Sequence, residues 1–190
     1  MAHNRGMASP MKIDLACGKK KEGARLGFDR VRLPGVDVVC DLDRGIPLAD
    51  NCVDEAVCCW FYEHCQDVVK LTEEIHRVLK PGGRLVIKVP YYTHFQAFND
   101  PTNKHFFAYD TFTYFTNDND YNFYTPVRFE IVRRFLGCNA GFYPLRRLIN
   151  FLANHWPRFY EEYLNKFLRA SSMRIELRKI GEAGKAKRLT

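Results

Sequence analysis

The 190-residue chain has no uninterrupted apolar run of 18 residues, the length a helix needs to cross a bilayer, and its amino terminus lacks the apolar core of a secretory leader. No membrane span is expected, and the composition points to a soluble, cytoplasmic protein. Seven cysteines are present, at 17, 40, 52, 58, 59, 65 and 138, but no two stand in a C-x-x-C pair. An odd number without that spacing fits reduced thiols better than a disulfide framework. Cys52, Cys58, Cys59 and Cys65 with His64 could be drawn as a zinc cluster. Adjacent strand residues point to opposite faces, however, so Cys58 and Cys59 would diverge and no metal site is expected. The chain also lacks the G-x-G-x-x-G turn that seats a dinucleotide pyrophosphate, which weighs against a nicotinamide dehydrogenase. It has no recognisable RNA-binding motif.

What the chain does have is an uneven charge. Residues 128–190 hold 14 Lys and Arg against 5 Asp and Glu, whereas residues 1–127 hold 15 against 17. The net charge of +7 therefore belongs to the C-terminal part, a surface suited to nucleic acid, an acidic small molecule or an anionic membrane face. With the basic residues scattered among helix and strand positions, nucleic acid is a partner left open and not preferred. At 46% hydrophobic and 14% aromatic, 190 residues suit one compact domain. Residues 1–10 read as a disordered leader, 11–180 as a single domain and 181–190 as a basic tail.

Three short apolar runs at the start of the domain each end on a residue suited to one part of a nucleoside. Lys12 to Leu15 stops at Ala16, Cys17 and Gly18, small residues that let main-chain N–H groups approach a ligand. Arg25 to Phe28 ends at Asp29, a carboxylate placed to accept both hydroxyl hydrogens of a ribose. Val36 to Cys40 ends at Asp41, placed to meet an adenine amino group, with Leu42 against the ring. Only Lys19 to Ala24 separate the first turn from the second run, too few for a βαβ crossover helix. The three lysines at 19–21 read as a solvated loop, with steering of an anion as the alternative.

Val53 to Trp60 reads as a central strand and Asp67 to Leu79 as a helix, with apolar residues at 68, 69, 71, 75, 78 and 79. Lys80-Pro81-Gly82-Gly83 would stop that helix before a fifth strand, Arg84 to Val89. Residues 91–127 are aromatic and aperiodic and read as a substrate lid. A sixth strand is expected over Phe129 to Leu136, two amphipathic helices split at Pro157 within Pro144 to Leu168, and a last strand over Met173 to Ile180.

Asp14-Leu15-Ala16-Cys17-Gly18, then Asp29, then Cys40-Asp41-Leu42, resemble the first three motifs of the class I S-adenosylmethionine-dependent methyltransferases, type 11 branch. Ile46-Pro47-Leu48 with Val53 to Val57 is similar to that family's fourth strand and its approach, and Glu74 to Leu85 to its most recognisable block. The stretch Asn99 to Phe107 resembles one found after its fifth strand. Two departures stand out, Ala16 and Lys20, where the family has glycine.

The resemblance implies an α/β, Rossmann-like fold: a seven-stranded, mostly parallel sheet with an antiparallel last strand, helices on both faces and the aromatic lid after strand 5. It also implies S-adenosylmethionine as cofactor, held by Asp14, Ala16, Cys17, Gly18, Asp29, Asp41, Leu42 and Trp60. The partner would be a small-molecule methyl acceptor. Alternatives are a non-catalytic domain that keeps the nucleoside pocket, or an RNA methyltransferase using the basic C-terminal surface.

Methyl transfer needs an in-line acceptor held away from water, and a base where the acceptor carries a proton. Glu63 and His64 follow the fourth strand; Tyr91, Tyr92 and His94 follow the fifth. His94, Tyr91 and His64 are the candidate catalytic residues, with His94 favoured, and each has a plain alternative as a capping, packing or lid residue.

Overall fold

The structure, a computed structural model, describes residues 9–181 except 22, 24, 25, 121 and 139–141. Most of the leader, most of the basic tail and Arg25 thus lie outside the described residues. Strands β1 (Lys12–Leu15), β2 (Leu26–Asp29), β3 (Val38–Val39), β4 (Val53–Cys59), β5 (Leu79–Pro90), β6 (Phe129–Gly137) and β7 (Ser172–Lys179) form one sheet in the order β3-β2-β1-β4-β5-β7-β6. The first five run parallel, and β7 is antiparallel to both of its neighbours. Strand order reverses between β1 and β4, so the turn after β1 sits at the switch point where open sheets bind ligands.

The connection from β1 to β2 contains turns and no helix in its described residues, as its length demands. Helix α1 (Val68–Val78) links β4 to β5 and is capped by Asp67, whose Oδ1 accepts from the N–H groups of Val69 and Lys70. After Val78 the chain extends at once. Leu79 pairs with Val53, residues 80–83 bulge out, and pairing resumes at Arg84 beside Glu55. The expected stop therefore lies inside β5 as a bulge, and Gly83 is required there because a Cβ would come 2.8 Å from the Lys80 carbonyl.

The core lies on one face of the sheet. Ile13, Leu15, Ala56, Cys58, Leu85, Ile87, Ile175 and Leu177 are buried and share a hydrophobic cluster with Leu71, Ile75 and Val78 of α1. Each of the leucine, isoleucine and valine side chains contributes roughly 1.5–3 kcal/mol. Residues 91–127 add to this core rather than only covering it: Phe107, Phe112 and Phe115 are buried, with Phe112 set edge-on to Tyr62 at 5.5 Å and stacked on Phe107 at 5.5 Å. Phe95, Phe98 and Phe106 stand out into solvent around the short helix α2 (Gln96–Asn99), as do Phe123 and Tyr124 further along the stretch.

The opposite face is different in kind. Its in-register rows read Lys12, Glu55, Arg84, Arg178, Glu130, then Asp14, Val57, Val86, Glu176, Arg133, then Cys59, Lys88, Arg174, Phe135. Among the described residues a helix meets this face only at its β6 margin, where Arg146 and Asn150 of α3 (Tyr143–His155) stand beside Phe135. The two expected C-terminal helices are α3 and a short α4 (Pro157–Phe159), which continues as a π-helical turn over Tyr160–Leu164. No described helix is long and apolar enough to cross a membrane.

Candidate active site

The turn after β1 is tight enough to put Ala16 and Gly18 in the left-handed region, with φ of 55° and 58°. Gly18 takes that conformation freely. Ala16 is strained by about 1 kcal/mol because its Cβ crowds the next carbonyl. Ala16→Gly should therefore raise stability by roughly 0.5–1 kcal/mol and the melting temperature by about 1–4 °C, measured by thermal unfolding.

Asp29, at the end of β2, ties this turn down. Its Oδ2 accepts from the Gly18 N–H at 2.9 Å and its Oδ1 from the Val31 N–H at 3.0 Å, which leaves one lone pair on each oxygen for a ligand. Asp41, after β3, caps the 3-10 turn Leu42–Arg44 through Asp43 N–H. Burial raises the thiol of Cys17, with Asp14 and Asp29 adding to the effect, and burial likewise raises Cys40, with Asp41 and Asp29 adding to it. Both stay protonated near neutrality, so neither is a nucleophile.

Ala16, Asp29, Asp41 and Leu42 line one cavity of about 520 Å³ outside the carboxyl ends of the strands, together with Phe61, His64, Asp100 and Thr102. Cys17 and Gly18 form its turn, with open space within 4 Å of where a Gly18 Cβ would be. Asp14 is buried on β1 beneath that turn and does not line the cavity. Trp60 stands outside it, 41% exposed, with the Lys88 ammonium 4.9 Å from its ring centroid.

The candidate bases separate clearly. His64 lines the cavity, and its Nδ1 lies 3.0 Å from the Thr102 hydroxyl, which donates to Asp100 at 2.7 Å. With its only proton directed at Asp100, Thr102 accepts from Nδ1–H, so the neutral ring presents Nε2 as the basic nitrogen. His94 lies apart: its Nδ1 accepts from Gln96 N–H, and burial followed by the Arg169 charge lowers its pKa. Tyr91 is fully buried, donates to Glu161 at 2.7 Å, and is raised chiefly by burial, which fits the packing alternative. Glu63 is buried beside the site, its main-chain carbonyl accepting from Lys104 N–H at 2.7 Å. Its Oε2 has no hydrogen-bond partner, and burial pushes its carboxyl up to about 7.

Phe61, Asp100 and Thr102 are site residues the sequence reading did not single out. The resemblance of Asn99 to Phe107 to a family stretch was the available signal for the last two. A family profile described as a methyltransferase domain matches residues 8–87. That span contains the turn, both aspartates, β4, α1 and the bulge into β5. Over that span the chain is similar to methyltransferase domains.

Solved structures extend the likeness over the full sheet. An S-adenosylmethionine-dependent methyltransferase from Archaeoglobus fulgidus is 21% identical, with a TM-score of 0.58 over 90% of this chain and 86% of that one. One from Mesorhizobium loti is 15% identical, with a TM-score of 0.55 over 88% and 90%. The cyclase SpnF is 18% identical, with a TM-score of 0.57 over 90% and 75%. No curated protein sequence matches the chain. The family match and these neighbours support S-adenosylmethionine as the cofactor, and the cavity fits it: a nucleoside-sized space with free carboxylate lone pairs at Asp29 and an open turn at Gly18.

Proposed function

We propose that the protein transfers the methyl group of S-adenosylmethionine to a small, planar acceptor bearing a hydroxyl or amine, with His64 as the base. The observation that carries this is the placement of His64, already oriented by Thr102 and Asp100, in the same cavity as Asp29, Asp41 and Leu42. When bound, the cofactor supplies an electrophilic methyl group. Asp29 would hold the ribose, Asp41 and Leu42 the adenine, and the Ala16–Gly18 turn would leave room for the rest of the molecule.

Phe61 closes the cavity on one side and offers a flat apolar contact for the acceptor. His64 Nε2 would take the acceptor proton as the new bond forms, and the Thr102–Asp100 pair would steady the resulting imidazolium. The arrangement supports His64 as the base in place of His94, which does not line this cavity.

In turnover on a panel of phenols, catechols and aromatic amines, His64→Ala should lower kcat by about 10²-fold or more with cofactor affinity unchanged, while Thr102→Val should cost less. His94→Ala should keep parental turnover. Full turnover of His64→Ala, or its loss in His94→Ala, would overturn the assignment of the base. Parental protein that binds S-adenosylmethionine yet turns over no acceptor would favour a non-catalytic binding domain.

A further inference from the structure

In a doubly wound sheet both faces are apolar and covered by helices. Here Val57 and Val86 in the middle row are buried, but among the described residues no helix covers the rows on either side, and the cations of β1, β5, β7, β6 and α3 at this face outnumber its carboxylates. Lys12, Arg84, Lys88, Arg133, Arg146, Arg174 and Arg178 stand against Glu55, Glu130 and Glu176 near the surface, with Asp14 buried. The acidic residues are used up toward the strands' starting end. Lys12 pairs with Glu55 at 3.0 Å, Arg178 with Glu130 at 3.3 Å, and Glu176 serves both Arg84 and Arg174. Among the described residues, Lys88, Arg133 and Arg146 have no carboxylate partner.

Toward the other end of the face, where the cofactor cavity opens, the row Cys59–Lys88–Arg174–Phe135 contains no acid at all. Trp60, following Cys59, and Phe135, 36% exposed, flank its two cations. At about 4.8 Å per strand, the two aromatic positions are about 14 Å apart. Two hollows lie beside Phe135: one of about 130 Å³ lined by Arg133, Phe135, Arg174 and Glu176, and one of about 440 Å³ that includes Lys88, Arg146 and Asn150.

We propose that this face is a platform for single-stranded nucleic acid. Trp60 and Phe135 stack bases, while Lys88, Arg133, Arg146 and Arg174 meet the phosphates between and beside them. Flat exposed sheets that combine aromatic rings with cations recognise single strands in this way, because every base has a ring face and every linkage a charge. A face four strands wide, about 14 Å across, is too broad to enter the groove of a duplex, so single strands are favoured over double ones. The proposal does not require nucleic acid to be the methyl acceptor.

The test is fluorescence anisotropy of labelled oligouridylate and oligothymidylate titrated with the full chain, with a duplex of equal length as control. Both single strands should bind more tightly than the duplex, and the better of the two identifies RNA or DNA as the ligand. Arg133→Ala combined with Arg174→Ala should weaken binding about tenfold or more and lessen the slope of log affinity against log salt by about 1.4. Trp60→Ala and Phe135→Ala should each cost about fivefold or more.

In a Trp156→Phe background, Trp60 is the sole tryptophan, and its fluorescence should be quenched as the single strand binds. Restoring the charges as Arg133→Lys with Arg174→Lys should recover most of the affinity, which separates loss of charge from loss of fold. Absence of binding at about 50 mM salt, equal binding of duplex, unchanged affinity in these variants, or self-association through this face in sedimentation would each overturn the proposal.

Discussion

Replacing Asp29 with alanine should weaken binding of S-adenosylmethionine and of its demethylated product by about 10²- to 10⁴-fold. Two hydrogen bonds from ribose hydroxyls to a charged acceptor contribute roughly 1.5–3 kcal/mol each, and Asp29 has one free lone pair per oxygen to accept them. The same carboxylate holds Gly18 N–H and Val31 N–H, so the variant also loosens the turn and should lose about 1–3 kcal/mol of stability. Asp29→Asn keeps one acceptor and the side-chain volume, and should fall between the two. Calorimetric titration of each folded variant decides the matter. An Asp29→Ala protein whose affinity is within about threefold of the parent would remove the ribose assignment and, with it, the geometry on which the active-site reading depends.

The second large effect concerns stability against pH. Glu63 is 3% exposed, its Oε2 lacks a partner, and burial raises its carboxyl from 4.5 to about 7, with Asp100 adding to the shift. A carboxyl whose folded value is raised holds its proton more tightly in the folded chain than in the unfolded one. Its contribution is therefore most favourable below about 4.5 and is lost progressively as the pH climbs through about 7. At pH 8 the ionised group costs up to about 3 kcal/mol.

Glu63→Gln removes the charge at nearly constant volume. It should be more stable than the parent at pH 8 by about 1–3 kcal/mol, with the advantage vanishing near pH 4. Urea unfolding of both proteins across that range measures the difference. A parent whose stability rises from pH 5 to pH 8 by as much as the variant's would show that Glu63 is ionised and satisfied in the folded state.

Much of the architecture was legible because strands and their ends leave local marks. The first, fourth, sixth and seventh strands fall within two residues of their expected bounds. The absence of a first crossover helix followed from the few residues available for it. The third strand is shorter than expected because Val36 N–H is drawn into a turn with Leu33 and Asp37 is held by Gly27 N–H and Lys21. Lys21 is thus part of an ion pair, not merely a solvated loop.

The open sheet face was harder to see. Arg84 and Lys88 alternate with Leu85, Ile87 and Val89, the mark of a strand wet on one side, but consecutive buried residues such as Leu85, Val86 and Ile87 mask that alternation. Which of His64 and His94 lines the cavity was not readable at all. Both follow a strand's carboxyl end, and only the folding of residues 100–104 back onto His64 distinguishes them.

The sheet's two borders carry a further consequence. Unpaired outer strands invite neighbouring molecules to add to the ladder and begin aggregates. Here one border, β3, is only two residues long, and the other, β6, is interrupted between Ile131 and Arg133 and lined by Glu130, Arg133 and Arg134. Neither offers a long, flat, uncharged template, so concentrated solutions of the protein should resist edge-to-edge polymerisation.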